Sequence, residues 1–226
     1  MGKSVVIIGK GPSVRKSTKE FVDSFDDVAI INFPPMEDYN HLISNRAKYL
    51  FINAGSFRPY SRDFLNKLGL KYIFNISRND LPPDVGFIPE ITDDIKEIYY
   101  ESDFGVKTKK KFEDKHNFWP SGGIMALDYF YEHSDYDKIG LVGFDLHKPG
   151  NDIYYFTKEE GSKDVEWCYN DQIYSSDGKI IKADGHGTFD IQKKIIDLVS
   201  KEKEIVWKNN YSKMCTTTPN INWWRC

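Results

Sequence analysis

Several features that mark large protein classes are scarce or missing in this sequence. The three cysteines, Cys168, Cys215 and Cys226, are too far apart for a metal-binding motif or a disulfide framework, which indicates synthesis in a reducing compartment. No apolar run approaches the roughly 20 residues that a membrane-spanning helix needs. Only one short apolar segment follows Met1, so no signal peptide is predicted. We therefore expect a cytoplasmic protein.

Charge of one sign is not in excess either. The formal net charge is −3, and the sequence has no basic patch typical of nucleic-acid binding, so nucleic acid is excluded as a partner. The short basic run Lys107–Lys111 is interpreted as a solvated loop. No Asp-x-Asp motif follows a predicted strand, and no His/Cys/Glu group has metal-ligand spacing, so neither a metal nor a cofactor is predicted.

The most informative segment lies near the start of the chain. The β-branched run Val5–Ile8 is typical of a buried parallel strand. The loop after it consists of Gly9, Lys10, Gly11, Pro12 and Ser13. Glycines there let backbone N–H groups approach a phosphate, and a following helix offers the positive end of its dipole. The loop matches neither the dinucleotide fingerprint nor the P-loop, and the alternative is a tight turn with Ser13 capping a helix.

Short apolar runs alternate with helical patterns along the chain, which predicts βα units. Candidate strands are Val5–Ile8, Val28–Asn32, Tyr49–Asn53, Tyr72–Ile76, Lys138–Val142 and Glu204–Trp207. Candidate helices are Ser17–Phe25, Tyr39–Asn45, Ser61–Leu68, Gly122–His133 and Asp190–Lys201. The predicted fold class is α/β: a Rossmann-like, mainly parallel sheet with helices on both faces and a lid insertion.

Two stretches, Arg78–Asn117 and Tyr155–Lys182, interrupt this alternation, and long insertions of this kind are often lids over a site. Surface decoration is the alternative. The predicted division is an α/β core over residues 1–154, a lid-like insertion over 155–182, the final part of the core over 183–208, and a C-terminal tail over 209–226.

Polar residues end several of the predicted strands. Asn32 and Asn53 each close a strand, and Gly143, Phe144 and Asp145 follow another. Ligands of open parallel sheets bind beyond the carboxyl ends of the strands, and asparagine offers both a donor and an acceptor to a sugar or pyrimidine. The alternative is that each asparagine only forms a turn.

Two further segments offer hydrogen-bond donors to an anion. Ser121, Gly122 and Gly123 open a predicted helix whose first N–H groups would bind a carboxylate or phosphate, although Ser121 is also an ordinary N-cap residue. Tyr154 and Tyr155 lie beyond a strand end, where a tyrosine hydroxyl can donate to a phosphate oxygen. Aromatic clusters are more often part of a core.

His186 stands between two glycines just before the last long helix. The glycines give its imidazole little to pack against, and histidine is the side chain best suited to accept a proton near neutral pH. A helix-capping histidine is the alternative. Of the other histidines, His41 and His133 fall in helical patterns, His116 lies in a lid-like loop, and His147 follows a strand-end loop.

These segments, in this order, resemble the motifs of the bacterial sialyltransferases of glycosyltransferase family 42. The family's Gly-Asn-Gly-Pro-Ser loop, its strand-ending asparagines, its Thr-Ser-Gly helix start, its Gly-Ile-Asp-Phe-Tyr strand end, its Tyr-Ala-Phe and its Gly-His all have counterparts. The counterparts are Gly9–Ser13, Ile31–Phe33, Ile52–Phe57, Pro120–Gly123, Gly143–His147, Tyr154–Phe156 and Gly185–His186, followed by Asp190–Ile191. The Pro-Ser-Gly segment is also similar to the small sialylmotif of animal sialyltransferases.

The resemblance implies a GT-A variant fold and a reaction that moves sialic acid from CMP-sialic acid to a sugar hydroxyl with inversion, without a metal. It implies that His186 is the general base on the acceptor hydroxyl. It also implies that His147 and Tyr154 or Tyr155 donate hydrogen bonds to the phosphate of the departing CMP. The partners implied are a nucleotide-sugar donor and a glycan acceptor.

The resemblance also assigns substrate contacts. Ser121 at its helix N-terminus would hold the sialic acid carboxylate, while Asn32 and Asn53 would bind the cytidine–phosphate and sugar portions. The other substrate-binding residues on this interpretation are Gly9, Lys10, Gly11, Pro12, Ser13, Gly122, Gly123, Gly143, Phe144 and Asp145.

Two positions depart from the family pattern. Lys10 replaces the asparagine of the first loop, and Phe118 stands where the family has an arginine before Thr-Ser-Gly. Two other functions stay open. One is a pterin diphosphokinase-like nucleotide enzyme, which would require magnesium and clustered carboxylates. The other is a non-catalytic nucleotide or glycan binder.

The resemblance does not reach the tail, which carries the neighbouring residues Trp223 and Trp224. Adjacent tryptophans pack on their own domain, contact another subunit or touch a membrane surface. The first two are favoured here, which leaves a homo-oligomer and a peripheral membrane contact open.

Overall fold

Runs of β-branched and aromatic residues form the strands of this chain, and most of these strands join one sheet. The structure, a computed structural model, describes residues 2–32, 42–43, 46–53, 68–77, 99–101, 103–118, 120–133, 135–146, 173–174, 180–182, 189–208 and 221–223. In chain order the elements are β1 (Lys3–Ile8), a 3-10 helix (Pro12–Lys16), α1 (Lys19–Asp23), β2 (Asp27–Ile31), β3 (Ala47–Ile52), β4 (Tyr72–Asn75), β5 (Tyr99–Glu101), α2 (Phe104–His116), α3 (Gly122–Glu132), β6 (Tyr136–Val142), β7 (Ile173–Tyr174), β8 (Ile180–Lys182), α4 (Phe189–Val199), β9 (Glu204–Lys208) and β10 (Ile221–Trp223).

Eight of the strands form one sheet in the order β5-β4-β3-β2-β1-β6-β9-β10, and every neighbouring pair is parallel. The central strand β1 is registered on both sides, with Ile8 opposite Ile30 of β2 and Val142 of β6. This confirms the predicted α/β class, and all six predicted strands are present with ends shifted by at most two residues.

Both faces of the sheet are covered. The side chains of Val5, Val6, Ile7 and Ile8 are completely buried although they alternate between the two faces, as expected for a central parallel strand. Helices α2, α3 and α4 pack on one face. On the other face, Phe25 packs over Gly140 of β6 and meets Phe21 of α1 edge to face.

The bounds of the predicted helices agree with those in the structure to different extents. α3 and α4 match their predicted ranges, Gly122–His133 and Asp190–Lys201, to within two residues at each end, whereas α1 is shorter than the predicted Ser17–Phe25. Of the predicted helices Tyr39–Asn45 and Ser61–Leu68, only residues 42, 43 and 68 are described, and these are helical. The other residues lie outside the described ones.

The prediction that Arg78–Asn117 is a charged, lid-like insertion is wrong for its second half. Strand β5 extends the sheet beside β4, and α2 packs on the core. The buried face of α2 consists of Gly105 and of Phe104, Thr108 and Phe112, the last three spaced four residues apart. Because lysines stand between these residues, the helical spacing is difficult to recognise in the sequence. Lys111 is paired with acidic side chains of α3 and is not part of a solvated loop.

The later segments also contain strands that the sequence analysis did not predict. Strands β7 and β8 form an antiparallel pair within the predicted insertion 155–182. Strand β10 pairs in parallel with β9 at one edge of the main sheet, so part of the predicted tail, residues 221–223, belongs to the sheet. The division of the chain into domains stays a prediction.

Gly105 tests the packing of α2 on β4. A Cβ atom on Gly105 would lie 2.4 Å from the Ser77 carbonyl oxygen and 2.6 Å from the Ile76 carbonyl carbon, which are backbone atoms that cannot move aside easily. Glycine to alanine within an exposed helix stabilises a protein by about 1 kcal/mol. Here we expect Gly105→Ala to destabilise the fold by about 1–3 kcal/mol in urea unfolding. Asp114→Ala, at an exposed position of the same helix, is the control and should change stability by less than about 0.5 kcal/mol.

Candidate functional site

The strand order places a topological switch point between β1 and β6. From β1 the chain proceeds through β2, β3, β4 and β5 in one direction, and β6, β9 and β10 continue on the other side of β1. Ligands of open α/β sheets bind outside the carboxyl ends of the strands at such a point. The loops Gly9–Ser13 and Gly143–Leu146 follow the two strands that flank this point.

These two loops are hydrogen-bonded directly to each other. The Gly9 N–H donates to the Val142 carbonyl at 2.7 Å, and the Gly11 N–H donates to the Gly143 carbonyl at 3.0 Å. A Cβ on Gly11 would lie 2.7 Å from the Gly143 oxygen and 2.2 Å from a carboxylate oxygen of Asp145. The two glycines therefore permit one loop to approach the other. The prediction that their N–H groups face a ligand is wrong in this structure, because both are used inside the protein.

Ser13 and Asp145 form a buried pair across the same junction. The Ser13 N–H and hydroxyl both donate to one carboxylate oxygen of Asp145, at 2.9 and 2.8 Å. Burial raises the pKa of the Asp145 carboxyl, against the hydrogen bonds from Ser13 and the charge of Lys16, which lower it. Ser13 does not cap a helix. Pro12 begins the 3-10 helix, and Thr18 caps α1 by accepting a hydrogen bond from the Phe21 N–H.

The loop after β6 is held at further points. The indole N–H of Trp207, which is buried in β9, donates to the Phe144 carbonyl at 3.2 Å. The Gln192 side-chain amide donates to the Leu146 carbonyl at 3.3 Å. Gly143 and Leu146 have positive φ angles, of 67° and 55°. The loop therefore takes a sharply turned path that bonds to β9 and α4 stabilise.

Polar side chains connect the carboxyl ends of β2, β3 and β4. Asn32 has a φ of 51°, and its Oδ1 accepts a hydrogen bond from the Asn53 N–H at 2.7 Å. The Asn53 Oδ1 accepts one from the Ser77 hydroxyl at 3.1 Å, and the Asn75 Oδ1 accepts one from the Ser77 N–H. The oxygen of Asn32 thus accepts from the residue that follows the next strand, and its Nδ2 has no hydrogen-bond partner among the described residues.

The N-terminus of α3 lies over the middle of this edge. A Cβ on Gly122 would lie 2.5 Å from Ile76, after β4, and 3.1 Å from Ile31, at the end of β2. A Cβ on Gly123 would lie 2.9 Å from the ring of Phe144. These close contacts bring the helix start against both halves of the sheet. Within the described part of the chain, the N–H groups of Gly122 and Gly123 meet no acceptor.

Ser121 is the N-cap of α3, as its alternative interpretation predicted, and its Oγ accepts from the Ile124 N–H at 3.5 Å. The Ser121 hydroxyl is also bonded to Oε1 of Gln192 at 2.9 Å. Gln192 therefore connects α4 to the start of α3 and to the loop after β6.

Two positions that depart from the family pattern are both buried. Lys10 is 7% exposed and interacts with other groups of the protein. Phe118 is also 7% exposed, and its ring packs edge to face on Phe112 and near His116. His116 is the last residue of α2 and does not lie in a loop. His133 is the C-cap residue of α3.

All four predicted catalytic residues, His147, Tyr154, Tyr155 and His186, lie outside the described residues. Among the described residues, the sequence analysis missed Gln192, Ser77 and Trp207. Gln192 had a usable signal, because it is polar and adjoins the apolar stripe of its helix.

In the described ranges, no group of three or more histidine, cysteine or acidic side chains is arranged to hold a metal ion. No helix in these ranges is long and apolar enough to span a bilayer.

The fold is that of solved sialyltransferases, as the sequence resemblance implied. Cst-I, a monofunctional α-2,3-sialyltransferase from Campylobacter jejuni, has a TM-score of 0.60 at 15% identity, over 99% of this chain and 83% of Cst-I. CstII from the same organism, solved with the substrate analogue CMP-3FNeuAc, has a TM-score of 0.58 at 16% identity, over 100% of this chain and 90% of CstII. A mammalian sialyltransferase has a TM-score of 0.51 at 14% identity, over 92% of this chain and 70% of the other. The sequence matches no protein-family profile and no curated protein.

Asp145→Ala tests the buried pair with Ser13. The substitution leaves the Ser13 N–H and hydroxyl without an acceptor in a buried place, so we expect a loss of about 2–3 kcal/mol in urea unfolding. Asp145→Asn is the matched control, because its side-chain oxygen still accepts both bonds, and it should cost less than about 1 kcal/mol. Equal losses in the two variants would contradict the role given to these bonds.

The raised pKa of Asp145 predicts a pH dependence of stability. The folded protein retains this carboxyl proton to a higher pH than the unfolded chain, so the contribution of Asp145 to the free energy of unfolding should fall as the pH rises from about 4 through the raised pKa. Asp145→Asn lacks this titration. Its stability relative to the unsubstituted protein should therefore increase over the same window, which urea unfolding at a series of pH values would measure. A relative decrease would contradict the buried setting of the carboxyl.

Proposed function

We propose that this chain is a sialyltransferase-like glycosyltransferase that moves sialic acid from CMP-sialic acid to a hydroxyl of a glycan. The observation that carries the proposal is that short motifs from distant parts of the sequence meet at the carboxyl edge of a sheet with the sialyltransferase fold. The start of α3 is the meeting point, since Gly122 reaches the ends of β2 and β4 and Gly123 reaches the loop after β6.

The first part of the proposal concerns the sugar. Sialic acid carries a carboxylate. The N–H groups of Gly122 and Gly123 lie in the first turn of an 11-residue helix, are half-buried and meet no acceptor among the residues described. Such amides together with the helix dipole favour an anion. We assign the carboxylate to these two amides. The Ser121 hydroxyl donates its proton to Gln192 and accepts from the Ile124 N–H, so Ser121 caps the helix start and leaves the carboxylate to the two amides.

The second part concerns the nucleotide. Asn32 directly follows β2, its Oδ1 is bonded to the Asn53 N–H, and its Nδ2 meets no acceptor within the part of the chain that the structure describes. We assign these side chains to the cytidine–phosphate and sugar portions of the donor. The loops Gly9–Ser13 and Gly143–Asp145 then serve mainly to shape this edge, since their polar groups bond to one another.

The third part concerns the chemistry. We assign His186 as the base that takes the proton of the acceptor hydroxyl, so that this oxygen attacks the anomeric carbon from the face opposite the departing CMP and inverts it. Two residues lie between His186 and Phe189, the first residue of α4, so the chain keeps their Cα atoms within about 11 Å. The helix that follows His186 is bonded to Ser121 through Gln192.

Departure of CMP leaves negative charge on its phosphate. Donors fixed at that oxygen lower the barrier, and we assign this role to His147 and to Tyr154 or Tyr155. His147 directly follows Leu146, whose carbonyl is bonded to Gln192. The proposal includes no metal, because a monophosphate leaving group has no diphosphate for an ion to bridge. A homo-oligomer and a peripheral membrane contact stay predictions.

A second candidate is a non-catalytic nucleotide or glycan binder. At the position where the family resemblance places an arginine, Phe118 is buried against Phe112, so this position offers no cation to a substrate. A binder on the same fold would keep the donor contacts and lack turnover.

His186→Ala separates the two candidates. For an enzyme we expect kcat for CMP release from CMP-sialic acid, with a galactoside acceptor, to fall by about 10²- to 10⁴-fold while CMP affinity is kept, because only the base is removed. His133→Ala is the matched control, since His133 is exposed at the far end of α3, and it should leave both quantities unchanged.

Other outcomes decide among the remaining functions. If the unsubstituted protein binds CMP in a thermal-shift assay but releases none from CMP-sialic acid with any galactoside acceptor, the binder is favoured. If it binds neither CMP nor CMP-sialic acid, the proposed function is wrong. Binding of ATP with an absolute magnesium requirement would instead favour the pterin diphosphokinase-like alternative.

A further inference from the structure

Gln192 is a fully buried polar side chain that none of the proposed chemistry uses. It lies in the first turn of α4 with 0% exposure. Its Nε2 donates to the Leu146 carbonyl at 3.3 Å, and its Oε1 is 2.9 Å from the Ser121 hydroxyl. One side chain thus joins three segments of the site: the start of α3, the end of the loop after β6, and the helix that follows His186.

The two bonds fix the direction of the amide. If the amide were rotated by 180°, Oε1 would face the Leu146 carbonyl oxygen, and two acceptors would oppose each other in a buried place. Oε1 therefore faces Ser121, and the Ser121 hydroxyl must be the donor. Since the Ile124 N–H also donates to the Ser121 oxygen, both the proton and a lone pair of this hydroxyl are used inside the protein, which fixes Ser121 at the start of α3.

We propose that Gln192 is a positioning residue for the sugar half of the donor site, a role that rests on the proposed function. By holding Ser121 and Leu146 at once, it fixes the N-terminus of α3 and the loop before His147 relative to each other. The carboxylate then meets the Gly122 and Gly123 amides in a site that is already formed. The polar ends of β2 and β3, to which we assign the nucleotide, are bonded separately through Asn32 and Asn53.

This division predicts that loss of the Gln192 side chain weakens binding of the sugar portion of the donor and leaves binding of the nucleotide portion unchanged. Gln192→Met keeps the length of the side chain and removes both hydrogen bonds. Gln192→Glu keeps an acceptor for Ser121, loses the donor to Leu146 and places a negative charge beside the proposed carboxylate site. The test measures the dissociation constants of CMP and of the substrate analogue CMP-3FNeuAc by calorimetry, with folding checked by thermal unfolding.

We expect Gln192→Met to weaken CMP-3FNeuAc by about tenfold and CMP by less than about twofold, and Gln192→Glu to weaken CMP-3FNeuAc at least as much. Ser200→Ala is the matched control. It removes the buried hydrogen bond to the Asp197 carbonyl at the other end of the same helix, and it should lower stability without changing the ratio of the two affinities.

A double-substitution cycle tests whether Gln192 acts through Ser121. The effects of Ser121→Ala and Gln192→Met on CMP-3FNeuAc affinity should be less than additive, because each removes the same bond. Full additivity would overturn the proposed route through Ser121.

The outcomes separate this inference from the proposed function. If the unsubstituted protein binds both ligands and the Gln192 variants weaken both equally, or neither, Gln192 has only a structural role and the inference alone is wrong. If a Gln192 variant binds CMP-3FNeuAc more tightly, the inference is also wrong. If the unsubstituted protein binds neither ligand, the proposed function fails and the inference fails with it.

Discussion

The junction between the loops that follow β1 and β6 is the constraint on which the rest of the candidate site depends. Two backbone hydrogen bonds and the buried Ser13–Asp145 pair close it, and the absence of a side chain on Gly11 makes the approach sterically feasible. With these loops closed, Phe144 is directed against Gly123 at the start of α3. The sheet centre and the helix N-terminus are therefore in direct contact, and the candidate site is formed around this junction.

The strands and the edge at which the site lies could be predicted from the sequence. Each predicted strand is an apolar run buried on both faces, and the residues that follow such runs in a parallel sheet are all at one edge. Helix α2 could not be recognised with the same ease, because Phe104, Thr108 and Phe112 are separated by lysines. A stripe of three buried residues is a weak signal when most of the helix surface is charged.

The use of each polar group in the site could not be predicted from the sequence. The glycines, Ser13, Asp145 and the oxygen of Asn32 are all engaged with partners from distant parts of the chain, and such pairings depend on tertiary contacts that local patterns do not encode. The predicted site residues that fall within the described ranges lie at or next to this edge. The sequence offers no means of telling a residue that faces a ligand from one that bonds to its neighbour.

The pairing of Ser13 with Asp145 also has a consequence for the order of assembly. These residues are 132 positions apart in the sequence. One edge of β1 can form its hydrogen bonds only after β6 has been synthesised. During synthesis the first loop must therefore wait for more than half of the chain to leave the ribosome. Contacts so distant in sequence slow folding. A nascent chain interrupted before β6 would expose one edge of its central apolar strand, which is the segment most prone to pair with another molecule.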